Sequence, residues 1–185
     1  RRDAVHRRPD RIRDRGRIVA VEHAMAGPAG QRRQRPQRFD TRAVLLRAVA
    51  VTLRGFPELN GTWRDGTYLP SASVNTGVAI SMRQGGLIAP GIRDVQDLPV
   101  GALMAKLADL VKRARAGSLR SSEFSDPTIT VTNLGDLGVE STFAVIYPPQ
   151  AAIVGFGRVA PRPWVEGGAV IVMPTVVASL SADHR

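Results

Sequence analysis

Apolar and polar positions change register several times along the chain, and each change marks an element. From Thr41 the run Ala43-Val-Leu-Leu-Arg-Ala-Val-Ala-Val-Thr-Leu53 predicts a helix. Thr41 is a residue type that caps helices, and Gly55 and Pro57 stop it. Apolar residues lie nearly all around this helix, which predicts burial. A polar connection, Glu58 to Gly66, follows with Asp65-Gly66 as a turn signal. Ser73 to Met82 and Leu87 to Ile92 read as two strands joined at Gly85-Gly86, with Pro90 placing part of the hairpin at an edge or bulge. Residues 98–116 predict a long helix. Leu103, Leu107, Leu110, Val111 and Ala114 fall on one face, and Lys106, Asp109, Lys112, Arg113 and Arg115 on the other. Three of these cations stand in the last turns, where the helix dipole favours them.

The rest is strand-rich. Thr128 to Leu134 alternates with period two. Ala151 to Gly157, and Ala169 to Met173 continuing through Val176 to Leu180, are apolar enough to be central strands. The order helix, hairpin, helix, several strands predicts an α/β (α+β) sandwich, with helices packed on a mixed, largely antiparallel sheet.

Residues 1–40 differ in texture. They are rich in Arg, Gln, Pro and Gly, and only Ile18-Val-Ala-Val21 offers an apolar run. Such a segment buries too little surface to offset the entropy of ordering its backbone. The expected division is therefore an arginine-rich, poorly ordered tail over 1–40 and one domain over 41–185. Charge supports it. Of the net charge of +10, residues 1–42 contribute 13 arginines against 5 acids, and the rest is nearly balanced. Nucleic-acid binding through the tail would be non-specific, because it lacks aromatic interleaving and any recognised helix motif. No specific nucleic-acid partner is expected. Nor is a membrane one, since no stretch approaches the roughly 20 apolar residues of a span.

The chain has no cysteine, which excludes disulfides, thiolate metal sites and cysteine nucleophiles. It has three histidines. His6 and His23 lie in the tail, and His184 follows an apolar strand in Ser179-Leu-Ser-Ala-Asp-His-Arg185. Taken alone, His184 is either a general base or an ordinary polar residue at a strand end. Thr132 is, on the same footing, one more β-branched strand residue.

Seven segments, in order, turn this balance. They are Phe56-Pro-Glu-Leu-Asn60, Val74-Asn-Thr-Gly-Val-Ala-Ile80, Gly86-Leu-Ile-Ala-Pro90, Ala114-Arg-Ala-Gly-Ser-Leu119, Thr130-Val-Thr-Asn-Leu-Gly-Asp-Leu-Gly138, Ile146-Tyr-Pro-Pro-Gln-Ala-Ala-Ile153 and Ser181-Ala-Asp-His-Arg185. Together they resemble the catalytic domain of the dihydrolipoyl acyltransferases, the core component of 2-oxoacid dehydrogenase complexes. The resemblance implies a chloramphenicol acetyltransferase-like fold, an enzyme that moves an acyl group between a dihydrolipoyl group and coenzyme A, and a bacterial cytoplasmic location. It implies coenzyme A as substrate, a lipoyl group on a separate domain or protein, and no metal. Partners would be further copies in a homotrimer, possible assembly of trimers into a cage, and the other subunits of the complex.

By the same resemblance His184 is the general base, and the Thr132 hydroxyl donates to the oxyanion of the tetrahedral intermediate. Asn133, Gly135 and Asp183 support the site, Asp183 as a structural partner in an ion pair. His184 of one subunit would face Thr132 of the next. The family motif continues past Arg185 with an acidic residue, a glycine and a last helix. The domain is therefore expected to be incomplete at its C-terminus, and the alternative is a catalytically incomplete fragment or scaffold homologue. Where the family often shows Thr-Pro ahead of the Ile146 block, this chain has Ala144-Val145, so substrate choice does not carry over.

Overall fold

The computed structural model describes residues 40–82 and 84–184, so the tail residues His6 and His23 and the Ile18 to Val21 run lie outside the described residues. Helix α1 spans Thr41–Thr52. Its cap is Asp40 and not Thr41: the Asp40 carboxylate accepts from the Arg42 N–H at 3.0 Å. Asp40 has extended φ and ψ, whereas Thr41 already belongs to the first turn. Ala43, Leu45, Leu46 and Ala50 form its buried face. Val44 and Val51, seven residues apart on the outer side, are 38% and 45% exposed. The helix is thus apolar all round but buried on one side only.

The polar connection folds into a hairpin, β1 (Gly61–Arg64) and β2 (Thr67–Pro70), turned by Asp65-Gly66 with both residues at positive φ. Its strands escape the sequence pattern because they are short and mostly polar. The second hairpin forms as expected, but each arm is broken in two. β3 (Thr76–Val78) pairs with β6 (Gly91–Ile92), and β4 (Ile80–Ser81) pairs with β5 (Leu87–Ile88). The breaks fall at Ala79 and at Ala89-Pro90, where Pro90 has no N–H to donate.

Helix α2 (Val100–Arg115) buries Leu103, Leu107, Leu110 and Ala114, as its spacing predicts. A short helix that the sequence pattern does not announce, α3 (Ser121–Ser125), is tied back to it. Both Glu123 oxygens accept from Arg113 at 2.7 Å, and Glu123 also accepts from the Arg120 N–H. The Arg113 guanidinium holds the Glu123 carboxyl below its ordinary value of 4.5. A carboxyl whose folded value is depressed stabilises the fold above its unfolded pKa, and that contribution is lost as pH falls through the folded value. Glu123→Gln is therefore expected to lower the melting temperature at pH 7 and to leave it unchanged at pH values where the native carboxyl is protonated. Melting curves at several pH values check this.

The remaining strands are β7 (Ile129–Asn133), β8 (Ala152–Phe156), β9 (Ala160–Glu166), β10 (Ala169–Thr175) and β11 (Ala178–Ala182). The central sheet has the order β11-β8-β7-β3-β6. β8 with β7, and β7 with β3, pair parallel; the two outer pairings are antiparallel. Over all sheets antiparallel pairs predominate, as expected, while this sheet is evenly mixed. One face, carrying Ile129, Val131, Ala152 and Phe156, packs on α1 and α2. The register puts Thr130, Thr132, Ile153, Gly155, Ser179 and Ser181 together on the other face.

Ala169 to Met173 is not a central strand. β10 pairs only with β9, in a separate two-stranded ribbon turned at Gly167-Gly168. Val165, Val170 and Val172 on it are 69%, 73% and 77% exposed. A β-branched apolar run reads the same whether its partner surface is in the same chain or elsewhere.

On the helix side, Thr76 is fully buried and its Oγ1 has no hydrogen-bond partner among the described residues. An unsatisfied buried hydroxyl destabilises by about 1–3 kcal/mol. Thr76→Val keeps the shape and removes the group, so it is expected to raise the unfolding free energy by about 1 kcal/mol in urea titration.

Candidate active site

Thr132 lies one residue from the C-terminal end of β7, in register with Gly155 of β8 and, through it, Ser179 of β11. It is 8% exposed, and its hydroxyl has no hydrogen-bond partner among the described residues. Two cavities meet at it. One, about 240 Å³, runs under α1 and α2 past Leu45, Leu107 and Val111, with Arg42 and Arg115 among its lining residues. The other, about 330 Å³, lies on the hydroxyl-bearing face beside Thr130, Ala144 and Ile153. Ala79, Leu87, Thr132 and Leu134 line both, so Thr132 stands at the waist between them.

The turn after β7 fixes this position. The Asn133 Oδ1 accepts from the Gly135 N–H at 2.9 Å, and Leu134 N–H donates to the Phe156 carbonyl. Gly138 closes the turn at φ 80°. A Cβ on Gly135 would lie 2.8 Å from the Gly157 carbonyl oxygen, so only glycine fits. Asn133 and Gly135 therefore hold the loop and not the hydroxyl itself.

Arg42 and Asp136 are site residues that the sequence did not announce. Arg42 pairs with Asp40 at 2.7 Å and with Asp136 at 3.4 Å, linking the first turn of α1 to the turn after Thr132. The hydrogen bond from Arg42 holds the Asp40 carboxyl below its ordinary value. No local pattern connects residues 42 and 136, so a single sequence carries no signal for the pair.

His184 is elsewhere. It follows β11 by two residues and its side chain is exposed. Asp183, half-buried, donates its N–H to the Ala151 carbonyl at 2.7 Å, which prolongs the pairing of β11 along β8. β11 runs antiparallel to β8, so His184 emerges at the end of the sheet opposite Thr132. Two strand spacings across and five residues along separate them by roughly 15–20 Å within one chain. The fold thus gathers Thr132, Asn133 and Gly135 at one end and Asp183 and His184 at the other. Among the described residues no cluster of three or more His, Asp or Glu could hold a metal ion.

The sequence and the fold have counterparts among known proteins. Residues 16–185 match the family model for the 2-oxoacid dehydrogenases acyltransferase catalytic domain, a range that begins inside the arginine-rich segment. The lipoamide acyltransferase component of the branched-chain alpha-keto acid dehydrogenase complex of Pseudomonas aeruginosa is 36% identical over 143 residues, 76% of this chain and 33% of that protein. The dihydrolipoamide acetyltransferase of Azotobacter vinelandii superposes with a TM-score of 0.73 at 27% identity, covering 79% of this chain and 60% of that one. Its catalytic mechanism has been investigated at one serine, one histidine and one asparagine. A cubic core of the pyruvate dehydrogenase multienzyme complex gives a TM-score of 0.73 at 28% identity, over 79% and 60% of the two chains. The chain spans about a third of the length of the curated relatives it matches. The family match over most of the chain and the superposition agree: the chain belongs to the family of 2-oxoacid dehydrogenase acyltransferase catalytic domains.

Proposed function

We propose that this chain transfers an acyl group between the sulfur of a dihydrolipoyl group and that of coenzyme A, in an active site completed between two copies, within the core of a 2-oxoacid dehydrogenase complex. The observation that carries the reading is the place of Thr132, a mostly buried residue whose side chain lines both of two adjoining cavities. Two long thiols entering from opposite sides would meet there. Thr132 and His184 stand as far apart in sequence as the serine and histidine studied in the Azotobacter vinelandii enzyme.

In the proposed reaction the His184 imidazole takes the proton of the attacking thiol. The sulfur adds to the thioester carbonyl. The Thr132 hydroxyl donates to the resulting oxyanion, and Asn133 and Gly135 hold the strand end that aims it. Asp183 positions the imidazole through the backbone that it anchors. The acid–base chemistry needs only protein groups and the two thiols, so the site residues call for no metal.

Because His184 and Thr132 lie at opposite ends of one sheet, one copy presents the imidazole to the next. The trimer suits that arrangement, and the relative solved as a cubic core supports a larger cage. Exposed apolar side chains supply a surface for such contact: Val165, Val170 and Val172 on the ribbon, and Phe143, Val145 and Tyr147 on the segment before β8. A lipoyl domain and the other complex subunits are the remaining partners. Residues 41–185 carry this catalytic unit. A bacterial cytoplasm fits the chemistry, since both substrates are thiols that need a reducing compartment.

The test combines an acyl-transfer assay, dihydrolipoamide with acetyl-coenzyme A, with the mass in solution from sedimentation. The reading predicts turnover by a species whose mass is a multiple of three chains. A folded oligomer without turnover would favour a scaffold homologue instead.

A further inference from the structure

We propose that the cavity between helix α2, helix α3 and the edge strand β6 binds a small phosphate monoester, gripped by Lys106 and Arg120. The site is separate from the one that serves acyl transfer and stands whether or not that reading holds.

The cavity measures about 280 Å³ and shares no lining residue with the two cavities at Thr132. α2 stands between them. Lys106, Asp109 and Arg113 line this cavity, whereas Leu107, Val111 and Arg115 line the helix-side cavity that reaches Thr132. None of the exposed apolar side chains assigned above to contact between copies lines it.

Charge decides what the cavity can hold. Four cations line it: Arg93, Lys106, Arg113 and Arg120. The nearby carboxylates are already engaged. Asp109 accepts from Arg113 at 2.7 Å, and so do both Glu123 oxygens. Asp126 is taken by Arg93. Lys106 and Arg120 are left with no ion pair among the described residues. Like charges lining one cavity repel, and an anion between them is attracted by both. A phosphate monoester carries about two negative charges at neutral pH, which matches the two cations that lack a carboxylate.

The wall that presents these cations is held in place. Glu123 accepts from Arg113 at both oxygens and from the Arg120 N–H at 2.7 Å, so α3 is tied to α2 and the backbone at Arg120 is fixed. The Arg113 and Glu123 side chains are only 27% and 15% exposed. Arg120 offers a planar fork of donors, and Lys106 a point charge on a flexible stem, so the two can close on one anion from separate helices. Ser122 adds a hydroxyl, and Ile92 and Leu110 supply an apolar floor. At a liquid share of about 30 Å³ per water the cavity holds roughly nine water volumes, room for a phosphate and a body of a few carbons.

The experiment titrates the full chain with glycerol 3-phosphate, and separately with inorganic phosphate, by isothermal titration calorimetry at low salt. Lys106→Gln and Arg120→Gln each remove one cation from the cavity. Lys112→Gln removes an exposed cation of α2 that does not line it. The expected result is one saturable site for glycerol 3-phosphate with a Kd on the order of 1 mM. Each cavity variant should bind about tenfold more weakly, and Lys112→Gln as well as wild type. Melting temperatures without ligand should match wild type in all three, since Lys106, Lys112 and Arg120 are exposed. Inorganic phosphate should bind no more tightly than the ester, because it leaves the apolar floor unfilled. Absence of saturable binding overturns the site. So does binding that neither cavity variant weakens, or that Lys112→Gln weakens equally, since the anion then sits elsewhere or answers only to net charge. Binding of inorganic phosphate without the ester overturns the assigned ligand class.

Discussion

His184→Gln is expected to lower kcat for acyl transfer by about 10²–10⁴-fold while leaving the melting temperature and the oligomer mass in place. The imidazole is solvent-exposed at the end of the sheet, so its loss creates no cavity and breaks no core contact. What disappears is the acceptor for the thiol proton. A thiol with an ordinary pKa is mostly protonated at neutral pH, and the thiolate is the nucleophile. Raising the pH should therefore restore part of the rate in the variant, since hydroxide then ionises the thiol. A variant with the wild-type rate at pH 7 would remove His184 from the chemistry. A variant that falls apart would make it a structural residue.

Thr132→Val is expected to cost about 10²–10³-fold in kcat with little change in KM for either thiol. Valine preserves the β-branched shape in a strand, and the Thr132 hydroxyl has no partner among the described residues to lose. The effect then isolates one hydrogen bond to the developing oxyanion. Thr132→Ser, which keeps the donor, should retain most of the rate. Steady-state kinetics of the two variants decide it. Equal loss in both would point to packing, and no loss in valine would exclude the oxyanion role.

Elements with a strong period were legible from the sequence. The spacing of Leu103, Leu107, Leu110 and Ala114 gave α2, and alternation gave β7. Legibility ended where a local pattern has two physical solutions. The valines of α1 and of β10 are apolar enough for a core, yet Val51 and Val172 stand exposed. Nothing in a linear run says whether the covering surface belongs to the same chain. The cap moved from Thr41 to Asp40 because either residue type can cap, and the backbone dihedrals decide. The β1–β2 hairpin announced only its Asp65-Gly66 turn, since Thr62, Arg64 and Thr67 break any apolar alternation.

For the site, the block around Thr132 and the motif at His184 were legible through resemblance. The waist between two cavities was not, because Ala79, Leu87 and Leu134 come from separate turns of the chain. Arg42 and Asp136 were hidden for the same reason. The opposite placement of Thr132 and His184 depends on strand order and direction, and neither can be read from spacing alone.

Mixing two inactive variants tests the shared site most directly. Thr132→Val chains and His184→Gln chains are unfolded together, refolded at equal amounts and assayed as one oligomer pool. If each site takes its imidazole from one copy and its hydroxyl from the next, random assembly rebuilds about one quarter of the sites, and the pool recovers about a quarter of wild-type activity. If both groups act from the same chain, every site lacks one of them, and the pool stays as inactive as its parents.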